Sequence, residues 1–155
     1  MDLLEQNDIA VLSKIYEDRY LNGLAFVEII DVIQGHLVDE SVDEEPYVER
    51  FLIGGNIMDS GEGYFGRYSN QAVITRGGRP DIHMSSIMNG TKCLILTGLV
   101  DPTEYIVSEA RKHRVPMIQV ESSTEATVNM LSGAFGDNPV RIERVHRFAK
   151  LLVGD

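Results

Sequence analysis

The sequence predicts an α/β fold, a small three-layer domain whose mainly parallel central sheet is built from βαβ units. Three features carry that expectation. Residues 72–75 (AVIT), 93–97 (CLILT) and 115–120 (VPMIQV) are short apolar runs of the kind that become buried parallel strands. Glycine follows the first two runs, and a helix-start signal follows all three. The segment joining the first two runs has room for one short helix, which makes the strands parallel and the crossover right-handed.

Taken in order, the N-terminal stretch reads as a helix capped at Asn7 or Asp8, with Leu12, Ile15 and Tyr16 on one face. Asn22-Gly23 breaks the chain, so residues 1–23 are expected to be a helical extension and 24–155 the α/β domain. Residues 24–34 form a second helix, with Val27, Ile30 and Ile33 on its stripe and Gly35 as its stop. Residues 39–46 (DESVDEEP) are acidic and poor in apolar groups, and read as a solvated loop ahead of a metal or basic-partner patch. A strand over 48–53 leads into Gly54-Gly55. Gly61-Glu62-Gly63-Tyr64-Phe65-Gly66 matches the dinucleotide fingerprint G-x-G-x-x-G, but that motif follows a strand directly and opens a full-length helix. Here the next strand begins near Ala72, which leaves a short helix with Tyr64 and Phe65 packing inward.

After the glycine turn Gly77-Gly78, Pro80 suits the first helical position, Asp81 the first turn, and Gly90 the stop. Asp101-Pro102-Thr103-Glu104 reads as a capped start for the next helix. Its buried stripe is Ile106, Val107 and Ala110, and Arg111, Lys112, His113 and Arg114 complement its negative end. Ser122 with Glu125 repeats the capping-box pattern, ahead of an inward face of Ala126, Met130 and Leu131. Gly133, Gly136 and Asp137-Asn138-Pro139 make a break. The C-terminal helix carries an apolar stripe (Ile142, Val145, Ala149, Leu152) and an outer face (Arg141, Arg144, Arg147, Lys150) suited to an acidic neighbour such as another copy of the chain.

Composition bounds the function. A chain of 155 residues with 43% hydrophobic and 25% charged residues suits one soluble domain. The net charge of -10 argues against a general binder of nucleic acid or anionic membrane. No run approaches the length of a membrane span and no signal-peptide pattern opens the chain; with the lone Cys93, this places it in the cytoplasm. Cys93, inside an apolar strand, reads as core filling.

Catalytic motifs are scarce. The sequence has no G-x-x-x-x-G-K-[ST] phosphate loop and no G-x-S-x-G elbow, and His36, His83, His113 and His146 lack metal-ligand spacing, so neither cofactor nor metal is expected. What remains is the carboxyl end of the sheet, where ligands of such folds tend to lie. The candidate site there comprises Thr75, Arg76, Gly77, Gly78, Arg79, Asp81, Thr97 and Gly98. Gly77 and Gly78 would free successive amides at a helix start, and Arg76 and Arg79 add positive charge, which is the recipe for an anion nest. Against that stands a structural role, with Arg79 pairing Asp81 to fix the turn.

The runs VITRGGRPDI, CLILTG and DPTEYIVSEARKHRVPMIQVESSTEATV, in that order, resemble a DRTGG domain, and the resemblance extends over about 24–135. Arg79, Asp81, Thr97 and Gly98 match that family's motifs; Gly78 stands where its acid is expected, and Leu99 where a second glycine is. The resemblance implies a fold similar to the N-terminal domain of HPr kinase and of some Mur ligases. It also implies an accessory module, since DRTGG domains sit in long phosphate acetyltransferases and between paired cystathionine-β-synthase-type modules of some pyrophosphatases, with no reaction assigned to them. The close NPVRIERVHRFAKLLV looks like the end of the acetyltransferase-associated form, yet neither a P-loop nor an acetyltransferase domain accompanies it, so the chain looks like a free-standing or excised module.

Three functions follow as expectations. The first is a non-catalytic regulatory and oligomerisation domain, a homodimer acting with a metabolic enzyme. The second is a sensor of a phosphate-containing metabolite or adenine nucleotide at the glycine turn. The third, a stand-alone hydrolase or transferase, needs a general base, and only Asp81 is well placed.

Overall fold

The computed structural model describes residue 7 and residues 14–55, 61–134 and 141–153. Backbone contacts group the chain into two compact units, Gly23–Asn138 and a second made of Met1–Asn22 with Pro139–Asp155.

The Gly23–Asn138 unit is organised on a five-stranded sheet of order β2-β7-β6-β5-β4. Its central strands are β5 (Gln71–Arg76), β6 (Cys93–Thr97) and β7 (Met117–Val120); β4 (Arg50–Ile53) lies on one edge and β2 (His36–Leu37) on the other. Strands β4 to β7 are mutually parallel, and β2 runs antiparallel to β7. The apolar runs are buried on both faces, as predicted. Ala72, Ile74, Cys93, Ile95, Ile118 and Val120 point to one side. Val73, Leu94, Leu96 and Met117 point to the other. This period-two alternation makes two separate cores.

Helices α2 (Phe26–Ile33) and α6 (Thr124–Ala134) cover the first face through Phe26, Ile29, Ile33 and Leu131. On the second face lie α3 (Glu62–Phe65), α4 (Pro80–Met88) and α5 (Glu104–Lys112), which contribute Phe65, Ile82, Ile87, Ile106 and Ala110. The three-layer α/β expectation therefore holds for this unit, and the sheet is mixed, mainly parallel with the one antiparallel edge strand β2. Pro80 opens α4 and Gly90 follows its end at φ 78, a left-handed angle that suits glycine.

Several local expectations are corrected. The helix over 24–34 begins two residues late, because Leu24–Ala25 is β1, paired antiparallel to β3 (Tyr47–Val48). The expected strand over 48–53 accordingly splits between that small sheet and β4. In α2 the stripe is Phe26, Ile29 and Ile33, and Val27 faces solvent. Phe65 is buried as expected, but Tyr64 is exposed and its hydroxyl donates to the Ile53 carbonyl at 2.9 Å. Helix α5 starts after Thr103, which holds the N-cap position in place of Asp101 without a side-chain capping bond. Before α6 it is Ser123, not Ser122, whose hydroxyl accepts from the amide three residues on (Ala126 N, 3.2 Å). Within α6, Thr127 and Leu131 are buried, Ala126 is exposed, and Gly133 is helical.

The acidic loop and the basic end of α5 meet. Asp39 accepts from the backbone amide and hydroxyl of Ser41 (2.9 and 2.6 Å) and from Arg111 (3.0 Å), and Glu44 lies 3.8 Å from Arg114. Lys112 pairs with Glu109. The basic cluster is thus engaged within the unit.

The second unit contains α1 (Arg19–Asn22) and α7 (Ile142–Val153), linked by Arg147, whose Nε donates to Asp18 at 2.8 Å. The predicted first helix lies largely outside the described residues; residues 14–18 are irregular and Tyr16 is exposed. The break over 136–139 also lies outside them. In α7 the predicted apolar stripe is not buried: Ile142, Val145 and Leu152 are exposed, and of the predicted outer face Arg147 and Lys150 are exposed as expected while Arg144 is buried. Among the described residues no helix is long and apolar enough to cross a membrane.

Candidate functional site

The carboxyl ends of β5, β6 and β7 converge on one cleft of about 610 Å³. Its walls are Arg76, Gly78 and Arg79 from the β5–α4 turn, Thr97, Gly98 and Val100 from the end of β6, and Ser123, Thr124 and Glu125 from the start of α6. Parallel pairing explains the convergence: Arg76 stands beside Thr97, and Thr97 beside Val120, just before the turn into α6.

The turn itself is tightly built. Arg76 ends β5, and its carbonyl accepts from the Arg79 amide (3.2 Å) and from His83 Nε2 (2.9 Å). Arg79 forms a bidentate pair with Asp81, Nε to Oδ1 at 2.9 Å and Nη2 to Oδ2 at 2.7 Å, while Nη1 donates to the Gly55 carbonyl at 3.0 Å. Its hydrogen bonds from Arg79 hold the Asp81 carboxyl down at about 2. The pair therefore clasps the chain after β4 onto the start of α4.

The anion-nest expectation needs correcting at one glycine. The Gly77 amide donates to the Thr97 carbonyl (3.1 Å) instead of pointing outward. Glycine is required there for space, since a Cβ would come 1.9 Å from the Val100 carbonyl oxygen. The Gly78 amide has no backbone partner among the described residues and lies on the cleft wall. Thr75 is buried with its hydroxyl donating to Gly54 O at 2.9 Å, and Asp81 faces Arg79; neither lines the cleft. Thr97 does, with its hydroxyl 2.7 Å from that of Thr124. The structure thus brings Arg76, Gly78, Arg79, Thr97 and Gly98 together and sets Thr75, Gly77 and Asp81 behind them.

Sequence reasoning missed Ser123, Thr124 and Glu125. The same rule that located the first half of the site could have found them, because they follow the third strand of the sheet. Arg76 is exposed and makes no ion pair among the described residues, so it is the available cation of the cleft. Cys93 is buried, and burial raises its thiol well above the usual range. No group of three or more His, Cys, Asp or Glu side chains among the described residues is placed to hold a metal ion.

Comparison with known families decides the affiliation. The profile of the DRTGG domain matches residues 28–134, more than half of the chain. The chain belongs to the DRTGG domain family. It is also similar to a solved structure, the CBS and DRTGG domains of the regulatory region of Clostridium perfringens pyrophosphatase, complexed with the activator diadenosine tetraphosphate. The two share 15% identity at a TM-score of 0.59, over 81% of this chain and 54% of that one. The likeness is one of fold, and the chain spans about half the length of that structure. In this DRTGG domain the Arg79–Asp81 pair is a clasp, and Leu99 projects into solvent at 73% exposure beside the cleft residue Gly98.

Proposed function

We propose that this DRTGG domain is a non-catalytic regulatory and oligomerisation module, a cytoplasmic homodimer that works with a metabolic enzyme of the pyrophosphatase or phosphate-acetyltransferase kind. Family membership across residues 28–134 carries the reading. The state of the reactive groups supports it. The Asp81 carboxylate, the one well-placed base, is engaged by Arg79 and held at about 2, too acidic to take a proton near neutrality. His83 is buried and bonded to backbone, and Cys93 is sealed in the core. In the organisation we favour, residues 1–23 are an N-terminal extension and 24–155 the DRTGG-like domain with its C-terminal helix, on a fold comparable with the N-terminal domains of HPr kinase and Mur ligases.

The mass in solution tests the module reading: light scattering should give twice the 17.3 kDa of the chain, and a strict monomer would remove the oligomerisation role.

The cleft favours a second reading, a sensor of a phosphate-containing metabolite or adenine nucleotide at the glycine turn, Thr75 to Arg79, with Thr97 and Gly98. The observation behind it is an unpaired Arg76 on the wall of a cavity of about 610 Å³, a volume typical of small-molecule sites. A thermal-shift panel of phosphate, pyrophosphate, adenine nucleotides, nicotinamide dinucleotides and pyruvate tests it, since a ligand of the folded state raises the melting temperature. A shift lost in Arg76→Ala supports a sensor, and a flat panel rejects one.

A further inference from the structure

The charge balance of the cleft narrows what it can hold, an inference that rests on the sensor reading. Arg79 is occupied by Asp81 and the Gly55 carbonyl. That leaves Arg76, exposed at the end of β5, and Glu125, exposed in the first turn of α6, neither of which makes an ion pair among the described residues. The lining therefore offers one free cation and one free carboxylate, on separate elements.

A polyphosphate suits this lining poorly. Its first phosphate finds Arg76, but the next meets no second free guanidinium, and Glu125 and a net charge of -10 oppose it. A free phosphate ion would leave most of a cavity of about 610 Å³ to water. Both free charges are satisfied by a ligand with one anionic group at one end and hydroxyl donors at the other, because a guanidinium holds a phosphate and a carboxylate accepts from a sugar diol. Val100 adds an exposed apolar wall at the same cleft, against which a planar ring can lie.

We propose that the cleft binds a nucleoside monophosphate, with the phosphate on Arg76 and the Gly78 amide, the sugar hydroxyls on Glu125 and the base against Val100.

Calorimetric titration of the whole chain with adenosine 5′-monophosphate, its 2′,3′-dideoxy form, ATP and pyrophosphate tests this. The monophosphate is expected to bind once per chain, and ATP roughly tenfold more weakly at low salt. Arg76→Ala should weaken the monophosphate roughly tenfold or more, the worth of a charge-assisted contact. Glu125→Ala should weaken the ribose form severalfold and leave the dideoxy form unchanged. Both side chains are exposed, so unchanged melting temperatures without ligand would show that the variants fold. If pyrophosphate or ATP binds more tightly than the monophosphate and that binding needs Arg76, the cleft is an anion sensor and the monophosphate assignment is wrong. Monophosphate binding that ignores both substitutions overturns the assignment too. If none of the four probes binds, the monophosphate assignment is overturned, and the wider thermal-shift panel alone decides the sensor reading.

Discussion

His83 shows what one buried side chain contributes to the glycine turn. It is fully buried in α4, with Nε2 2.9 Å from the Arg76 carbonyl and Nδ1 without a hydrogen-bond partner among the described residues. A carbonyl only accepts, so Nε2 carries the proton and the neutral ring leaves Nδ1 bare. Burial lowers its pKa from the ordinary 6.5, against smaller raising effects from the Arg76 carbonyl and from Asp81, while Arg79 lowers it further. A histidine with a depressed folded pKa binds fewer protons folded than unfolded, so stability falls as pH drops below about 6.5. Urea denaturation between pH 8 and 5 should show that fall, and His83→Gln, which can still donate to Arg76, should flatten it; an unchanged slope would assign the effect elsewhere. Asp81 acts in a separate window, where the stability it draws from pairing with Arg79 falls away only as pH drops from 3.8 toward about 2. The paired glycines give a second residue-scale contrast. Gly77→Ala forces a Cβ to within 1.9 Å of a backbone oxygen and should cost about 1–3 kcal/mol in the same assay. At Gly78 the nearest atom is Val100 Cγ1 at 3.7 Å, so Gly78→Ala should stay within about 0.5 kcal/mol.

At the scale of elements, α2 separates pattern from packing. The alternative stripes Val27-Ile30-Ile33 and Phe26-Ile29-Ile33 differ by one residue in register, and the two-residue strand β1 fixes which one faces the sheet. Ile29→Ala should therefore cost about 2–5 kcal/mol by chemical denaturation, and Val27→Ala about 0.5 kcal/mol or less; equal costs would restore the other stripe. The same contrast explains what the sequence made legible. Strands β5 and β6 and helix α4 could be read because each apolar run lies between glycine or proline signals that act locally. Strands β1, β2 and β3 could not, since each is two residues held by a distant partner. The starts of α5 and α6 were misplaced by one or two residues because several neighbouring residues suit the N-cap position equally well. The half of the cleft next to the glycine turn was legible from its arginines and glycines. The half from α6 was within reach of the same rule, since Ser123, Thr124 and Glu125 follow the third predicted strand, but it carries no arginine or glycine signal of its own.

On the scale of the whole molecule, both hydrophobic cores draw every member from residues between Leu24 and Leu131, with partly buried neighbours reaching only to Ala134. The cleft is likewise lined only from Arg76 to Glu125. Among the described residues, both cores are thus built within Gly23–Asn138. Helix α7 sharpens the point, since its apolar Ile142, Val145 and Leu152 are exposed and the residue it buries is Arg144. A fragment spanning residues 23–138 should thus unfold in one cooperative transition, with a midpoint close to that of the full chain and the same probe-induced shifts. A broad, non-cooperative melt would mean that the flanking segments belong to the folding unit after all. Comparing solution masses then locates the oligomer contact. A dimeric full chain with a monomeric fragment assigns that contact to the flanking segments, whereas a dimeric fragment assigns it to the α/β unit that carries the cleft.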